Sequence, residues 1–401
     1  GQCLTVESAI YKGFPKNRDL ALAVKLASGW SAIISSSAIL SLVLLGDALI
    51  YAVLPVYADS FGLTLAWVGV LLSANRFIRV FAYGIITKFI YLIGVRRICL
   101  IAAVVASIST AIYGSSQGPA ILLLGRILYG LAYAALVLVT LNYSIKFRSE
   151  AGFRVGISRA IQRVGPITAL LIGTWLVGLV GPRDVFIVLA IATTLAIPLA
   201  LQLPPCGRLD NNNDTWSPLK HPRPIDILFF IQGFGVDGVF AVTIVLIFAE
   251  ELPPDTAIMF GGALLAMRHI AEAFAAPLFG WLSDRFGAQR IFIQSLFLTI
   301  IGFVSIAVGL TVIGAIVMLV FRGALASLGP AVIVNSVAAK DPAIAPLARM
   351  QAWRDLGAAF GPLITGFTLS IISPETQHAV VGVALFGGLI FWFRNRRSFK
   401  R

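Results

Sequence analysis

Charge is what this sequence lacks most. Only 12% of its 401 residues are Asp, Glu, Lys or Arg, against roughly 25% in soluble proteins. So few charges cannot cover a water-facing surface, and one compact core cannot absorb the 58% that are hydrophobic. The excess apolar surface must meet lipid. Cysteine is nearly missing: Cys3, Cys99 and Cys206 stand far apart, with neither metal nor redox spacing, which excludes a disulfide framework or metal cluster. No Gly-x-x-x-x-Gly-Lys-Ser/Thr loop occurs, and there is no soluble domain to hold ATP. No zinc motif and no Ser/His or Asp dyad at convincing spacing is present, so neither an enzyme nor a cofactor is expected. No cleavable signal peptide is read at the start, since Lys12, Lys16, Arg18 and Lys25 precede the first apolar run. Gly1-Gln2-Cys3-Leu4-Thr5 fits a lipidation pattern, on which nothing is built.

What is present is a series of apolar runs of about 20 residues. They fall at Ser36–Val56, Trp67–Lys88, Arg97–Gly114, Pro119–Leu141, Gly156–Val180, Val185–Leu203, Ile225–Phe248, Met259–Leu282, Ile291–Leu310, Val312–Val334, Gln351–Ile372 and Ala379–Phe393. Runs this long must satisfy their own backbone in lipid, and no barrel-like alternation appears, so helices are predicted. The expected fold is an all-α membrane protein of 12 transmembrane helices in two pseudo-symmetric six-helix bundles.

The formal net charge of +13 would suggest nucleic acid in a soluble protein. Here Lys and Arg sit in short segments between apolar runs, the positive-inside signal, and no nucleic-acid partner is expected. One side of the membrane takes the N-terminal tail, Arg96, Arg97, Lys146, Arg148, Arg154, Arg208, Lys220, Arg223, Arg285, Arg290, Lys340 and the final Arg394, Arg396, Arg397, Lys400 and Arg401. The other side takes Asp59, Arg183 with Asp184, Glu250, Glu251, Asp255 and Glu375. Every alternate loop agrees, which requires an even number of spans and puts both termini in the cytoplasm. The polar interval Pro204–Pro224 is too short for a soluble domain and reads as a linker. The expected organisation is therefore an N-terminal cytoplasmic segment 1–34, bundles at 35–203 and 225–393, a cytoplasmic linker 204–224, and a basic tail 394–401.

The halves repeat weakly. Leu71-Leu72-Ser73-Ala74-Asn75-Arg76 through Phe81-Ala82 to Gly94 and Arg97 matches Leu264-Leu265-Ala266-Met267-Arg268-His269 through Phe274-Ala275 to Gly287 and Arg290, without a gap. Asp47 and Asp237, Arg126 and Arg322, and Gly165-Pro166 and Gly361-Pro362 recur in order. Parallel repeats of this kind predict two bundles facing each other across a midplane cavity.

An ionisable group at mid-bilayer costs several kcal/mol, so each needs a reason. Arg76 and Arg79, three apart on one helix face, need anions from Asp47, from Asp237 or Glu272, or from a substrate. Asn75 adjoins that face. An internal ion-pair network and an anion site have about equal claim on them. The excess of buried Arg over buried acid favours the anion site, because guanidinium suits carboxylate and phosphate bidentately. The candidate substrate residues are Asp47, Asn75, Arg76, Arg79, Asp237 and His269. Glu272, beside Arg268 and His269, is a proton-carrier candidate with Asp47 and Asp237 as rivals; its alternative role is to neutralise Arg268 or Arg79. His269 as a metal ligand is disfavoured, since no second His or Cys is near.

The segment Gly280-Trp281-Leu282-Ser283-Asp284-Arg285-Phe286-Gly287-Ala288-Gln289-Arg290 resembles the best-known loop signature of the major facilitator superfamily, Gly-x-x-x-Asp-Arg-x-Gly-x-x-Arg. The first-half copy keeps only Gly94 and Arg97, with Thr87, Tyr91 and Leu92 in the other places. Arg126-Ile127-Leu128-Tyr129-Gly130 resembles that family's Arg-x-x-x-Gly motif, implicated there in proton coupling, and Gly165-Pro166 resembles the core of its antiporter motif. The resemblance implies a secondary transporter working by alternating access, without a cofactor, as a monomer in a plasma or inner membrane. It implies a cytoplasmic gate in which Asp284, Arg285 and Arg290 face the start of the fifth span, with Arg159 and Arg163 as expected partners of Asp284. Arg354 and Asp355 would form the matching group on span eleven, locked to each other or to the loop near Lys88–Arg97. Arg126 joins Glu272 and Asp47 as a proton-coupling residue. The expected partners are a small, anionic solute, protons and the bilayer, with antiport or export favoured. The alternatives are a multidrug or amphipathic-compound exporter of the same fold, and a non-transporting membrane receptor or scaffold.

Overall fold

The computed structural model describes residues 18–54, 56–204, 222–251, 254–337 and 343–395. The lipidation pattern, Cys3, Cys206, most of the linker, Lys340 and the tail from Arg396 onward lie outside the described residues.

Among the described residues all regular structure is helical. Twelve rods follow one another: α1 Arg18–Val53, α2 Leu65–Ile93, α3 Val95–Ser115, α4 Pro119–Ser144, α5 from Ala151–Thr168 through Ala169–Gly173 to Thr174–Val180, and α6 from Asp184–Thr194 into Ala196–Leu201. The second six are α7 from Pro224–Phe234 through Gly235–Phe240 to Ala241–Glu251, α8 Pro254–Phe286, α9 Ala288–Ala307, α10 Thr311–Ser336, α11 Ile344–Thr368 and α12 Pro374–Arg394. Each predicted span falls on one rod. Several rods overrun their spans. Hydropathy marks only the lipid-crossing part of a helix, about 20 residues, whereas α8 has 33 residues and is about 50 Å long. Likewise α1 starts at Arg18, well before the expected boundary at residue 34.

Nine of these rods are long and apolar enough to cross a membrane. The other three are α2, α8 and α11. They carry Arg76, Arg79 and Lys88; Arg268, Glu272, Asp284 and Arg285; and Arg349, Arg354 and Asp355 respectively. Among the charges that lower their hydropathy, Arg76, Arg79, Arg268, Glu272, Arg354 and Asp355 build the site described below.

Two interruptions of α-geometry are π turns. One, at Ala169–Gly173 in α5, begins three residues after Pro166, which has no N–H to donate. The other, at Gly235–Phe240 in α7, carries Asp237. The turns at Gly94 and Gly287 have φ of 90° and 98°. That conformation favours glycine, which explains why the degenerate first-half copy of the loop keeps its glycine although the acid is gone.

The chain divides into two compact units: Gly1–Asn75 with Gly84–Lys146 and Val164–Trp216, and Arg76–Tyr83 with Phe147–Arg163 and Ser217–Arg401. The first unit is packed around Leu49, Ile50, Leu54, Phe61, Tyr113 and Phe186, with Phe186 edge-on to Phe61 and Tyr113. In the second unit α7 and α11 touch backbone to backbone. A Cβ on Gly238 would stand 2.3 Å from the Gly361 Cα, closer than any side chain allows.

Candidate functional site

Among the buried polar residues of the first unit, Arg126 is the centre of an ionic group. Arg126 of α4 has no exposure to solvent. Its guanidinium donates to Asp47 of α1 at 2.7 Å, to the Leu71 carbonyl of α2 at 3.0 Å and to the Tyr51 hydroxyl at 3.3 Å. Asn75 donates to the same Asp47 oxygen at 3.2 Å. Arg126 also lies over the rings of Tyr51 and Tyr129. The fully desolvated charge is thus balanced by one carboxylate, and each guanidinium nitrogen has an acceptor, the arrangement a buried ion requires.

The second unit holds a larger cluster. Asp237, on the π turn of α7, is approached by Arg268 of α8 at 3.6 Å, Arg354 of α11 at 3.6 Å and Arg322 of α10 at 3.9 Å. Glu272 of α8 accepts from Arg322 at 3.0 Å and pairs with Arg163 of α5 at 3.7 Å. Asp355 of α11 accepts from Tyr83 of α2 at 2.9 Å and pairs with Arg79 of α2 at 3.4 Å. Arg76 donates to the Ala358 carbonyl and stands within electrostatic reach of Asp237. His269 lies 3.5 Å from Arg163 and from Arg268. Arg159 bonds Gln162 and acts on Glu272 from a distance. Phe77 and Phe360 meet edge to face beside the Arg76 contact. Counted by ion pairs among the described residues, five guanidinium groups (Arg79, Arg163, Arg268, Arg322 and Arg354) share three carboxylates.

A third group lies at the loops. Asp284 accepts from the backbone N–H of Gly152 at 2.9 Å and of Phe153 at 2.7 Å, at the first turn of α5. A carboxylate there satisfies orphan donors and complements the helix dipole. Asp284 lies past the Met259–Leu282 span; burial pushes its carboxyl above the usual aspartate range, and the Phe153 and Gly152 donors pull it back. Arg148, in the short turn before α5, does the converse. It donates to the carbonyls of Val334 and Val337 at the end of α10, where the dipole favours a cation. Arg285 lies over Trp281 and Phe286, and Arg290 is exposed.

Four expected pairings are corrected. Arg163 meets Glu272, and Asp284 meets the end of α5 rather than the side chains of Arg159 and Arg163. Arg159 and Arg163 stand 7 and 11 residues along the helix from Gly152, about 10 and 16 Å at 1.5 Å per residue. Glu272 pairs with Arg322 and Arg163, not with Arg268 or Arg79. Arg354 and Asp355, being consecutive, point apart: one reaches Asp237 and the other Arg79. Asp47, considered as a counter-ion for Arg76 and Arg79, bonds Arg126 and Asn75. The candidate residues Arg268 and Arg322 prove central to the cluster. Tyr51, Tyr83 and Arg148 were not singled out; Tyr51 and Tyr83 each lie four residues after a charged site residue, Asp47 and Arg79, and that spacing marks a shared helix face. Among the described residues no three His, Cys, Asp or Glu side chains gather as a metal site.

The family profile described as the Major Facilitator Superfamily matches residues 36–267 and 225–401. The multidrug resistance protein MdtG of Proteus mirabilis is 26% identical over 380 residues, covering 89% of this chain and 93% of that protein. MdtG of a Rahnella species is 24% identical over 62% of this chain and 64% of its own length. Among solved structures, the human organic anion transporter MFSD10 superposes with a TM-score of 0.73 at 12% identity, over 90% of this chain and 99% of that one. The Escherichia coli fucose:proton symporter FucP superposes with a TM-score of 0.69 at 14% identity, over 90% and 97%. Nine apolar helices, a buried ionic interior and a profile spanning almost every residue from 36 onward lead to one assignment: the chain belongs to the Major Facilitator Superfamily and is a multi-pass integral membrane transporter.

Proposed function

We propose that this chain is a secondary active transporter that moves a small organic anion by alternating access, driven by protons, with export favoured over import. The halves 35–203 and 225–393 are the moving parts, and the unit works as a monomer with both termini in the cytoplasm. One observation carries the anion reading: among the described residues of the second unit five arginines share three carboxylates. Unbalanced charge at that depth costs several kcal/mol per group and calls for a visiting anion. Guanidinium groups also recognise carboxylate and phosphate with two parallel donors. Asp47 with Arg126 is the proton-coupling pair. Protonating Asp47 would release Arg126 from its one carboxylate partner, so the pair can report a proton to three helices at once. Glu272 is the rival carrier.

The test is uptake by the purified chain in proteoliposomes under an imposed pH gradient, with phthalate against neutral benzamide. Arg268→Gln and Arg354→Gln should each lower phthalate uptake at least tenfold. Wild-type uptake of phthalate by both variants would sink the anion reading. Asp47→Asn should keep phthalate exchange but stop gradient-driven uptake; if gradient-driven uptake persists, the proton role passes to Glu272.

A second reading is supported by the MdtG likeness: a multidrug or amphipathic-compound exporter in which the arginines are held by Asp237, Glu272 and Asp355 for structure alone. Efflux of a cationic dye, unaffected by Arg268→Gln or Arg354→Gln, would favour it.

A further inference from the structure

The three acids of the cluster are not bound alike. Glu272 accepts a true hydrogen bond from Arg322 at 3.0 Å, and Asp355 accepts one from Tyr83 at 2.9 Å. Asp237 is different. Its three guanidinium neighbours stop at 3.6, 3.6 and 3.9 Å, beyond the reach of an N–H···O bond. They surround the carboxylate without forking onto it. Two of them are also more open than the third: Arg268 and Arg354 are 30% and 24% exposed, against 9% for Arg322 and 10% for Asp237 itself. A guanidinium has five donors in a fixed fork, so Arg268 and Arg354 can each turn a pair toward a visitor while staying near Asp237.

The charge arithmetic sets a lower bound on that visitor. Five guanidinium groups against three carboxylates leave two positive charges in excess. One negative charge leaves one of them unbalanced, and at low dielectric that cost stays large. Two negative charges remove it. We infer that the cargo carries at least two negative charges, seated by Arg268 and Arg354 on either side of Asp237. Asp237 then acts as a built-in anion that holds the arginines together when the seat is empty and sets, by its own charge, how many negative charges the seat accepts. The inference rests on the anion reading above and adds valence and seat to it.

Three acids on one ring separate the two claims: benzoate, phthalate and benzene-1,3,5-tricarboxylate, with neutral benzamide as baseline. Binding to the full chain, purified in detergent, is measured by calorimetry at constant ionic strength and pH 7.5. Phthalate should bind at least tenfold tighter than benzoate, and benzamide should not bind. Arg354→Gln should reduce the preference for phthalate over benzoate to about threefold or less. Asp237→Asn adds one excess positive charge and should move the preference toward the tricarboxylate by about tenfold. If benzoate binds as tightly as phthalate and both outrank benzamide, the anion reading stands and the double-charge inference falls. If no carboxylate outranks benzamide, both fall. The unmodified protein alone decides between these outcomes, so a variant that fails to fold costs nothing.

Discussion

Arg126 shows what a single buried charge demands of its surroundings. Its side chain has no solvent contact, and one carboxylate, one carbonyl and one phenol each accept from one of its three nitrogens. Removing Asp47 alone leaves a desolvated guanidinium unbalanced, a loss of about 3–5 kcal/mol in such settings. Replacing both members by apolar residues of similar volume removes the charge together with its partner. We therefore expect Asp47→Leu to lower the melting temperature sharply and the double variant Asp47→Leu, Arg126→Met to recover most of that loss. Thermal unfolding of the purified variants checks the ordering; a double variant less stable than both singles would contradict it. At this scale the sequence marked which residues are charged in the membrane, because each is conspicuous against an apolar run. It did not reveal who pairs with whom. Pairing depends on helix rotation and depth, and a carboxylate such as Glu272 has several arginines at plausible spacing. Arg163 and Arg322 won because their helices pack beside α8, which no spacing within α8 itself encodes. The tyrosines were legible only through their four-residue offset from Asp47 and Arg79.

At the scale of the element, α7 and α11 form the tightest contact of the second unit. Gly238 faces the Gly361 Cα, and Gly357 stands against the Phe230 carbonyl. Small residues let the backbones close in, and the van der Waals packing this permits helps drive helix association in lipid. The same closeness holds Asp237 and Arg354 within reach across the two helices. Gly238→Ala must push α7 from α11, an overpacking of about 1–3 kcal/mol, and it should lower both the melting temperature and anion uptake. Gly178→Ala, where a Cβ would meet nothing within 4 Å, is the matched control and should leave both unchanged. Equal behaviour of the two variants would refute the close-packing argument. The existence and order of the twelve helices were readable because lipid forces a long apolar run on each crossing. The π turns were not, since a change from i→i+4 to i→i+5 bonding leaves hydropathy untouched. Pro166 gave a local hint for the turn in α5, whereas the Asp237 turn in α7 has no proline to announce it.

Over the whole molecule, the duplicated halves reuse one plan with inverted charge. At the offset that aligns Gly94 with Gly287, Arg79 of α2 corresponds to Glu272 of α8. Arg79 pairs with an acid on α11, and Glu272 pairs with an arginine on α5. Each pair joins a first-half helix to a second-half helix, so the repeat is kept in position while the sign is exchanged. Such a plan needs parallel halves, each beginning and ending on the same face of the membrane, and hence an even number of crossings. Twelve rods meet that need. The basic residues then choose the face: Arg96, Arg97, Lys146, Arg148, Arg285 and Arg290 lie at the junctions of α2 with α3, α4 with α5, and α8 with α9, and positive charge is retained in the cytoplasm. Reporter fusions test this directly. Green fluorescent protein fused after Asn395 should fluoresce, while alkaline phosphatase there should be inactive. Alkaline phosphatase fused after Gly118, between α3 and α4, should be active. Phosphatase activity at Asn395 would mean an odd number of crossings or an inverted chain. An inverted chain would place the Asp284 cap on α5 at the outer face, where it could not serve as a cytoplasmic gate.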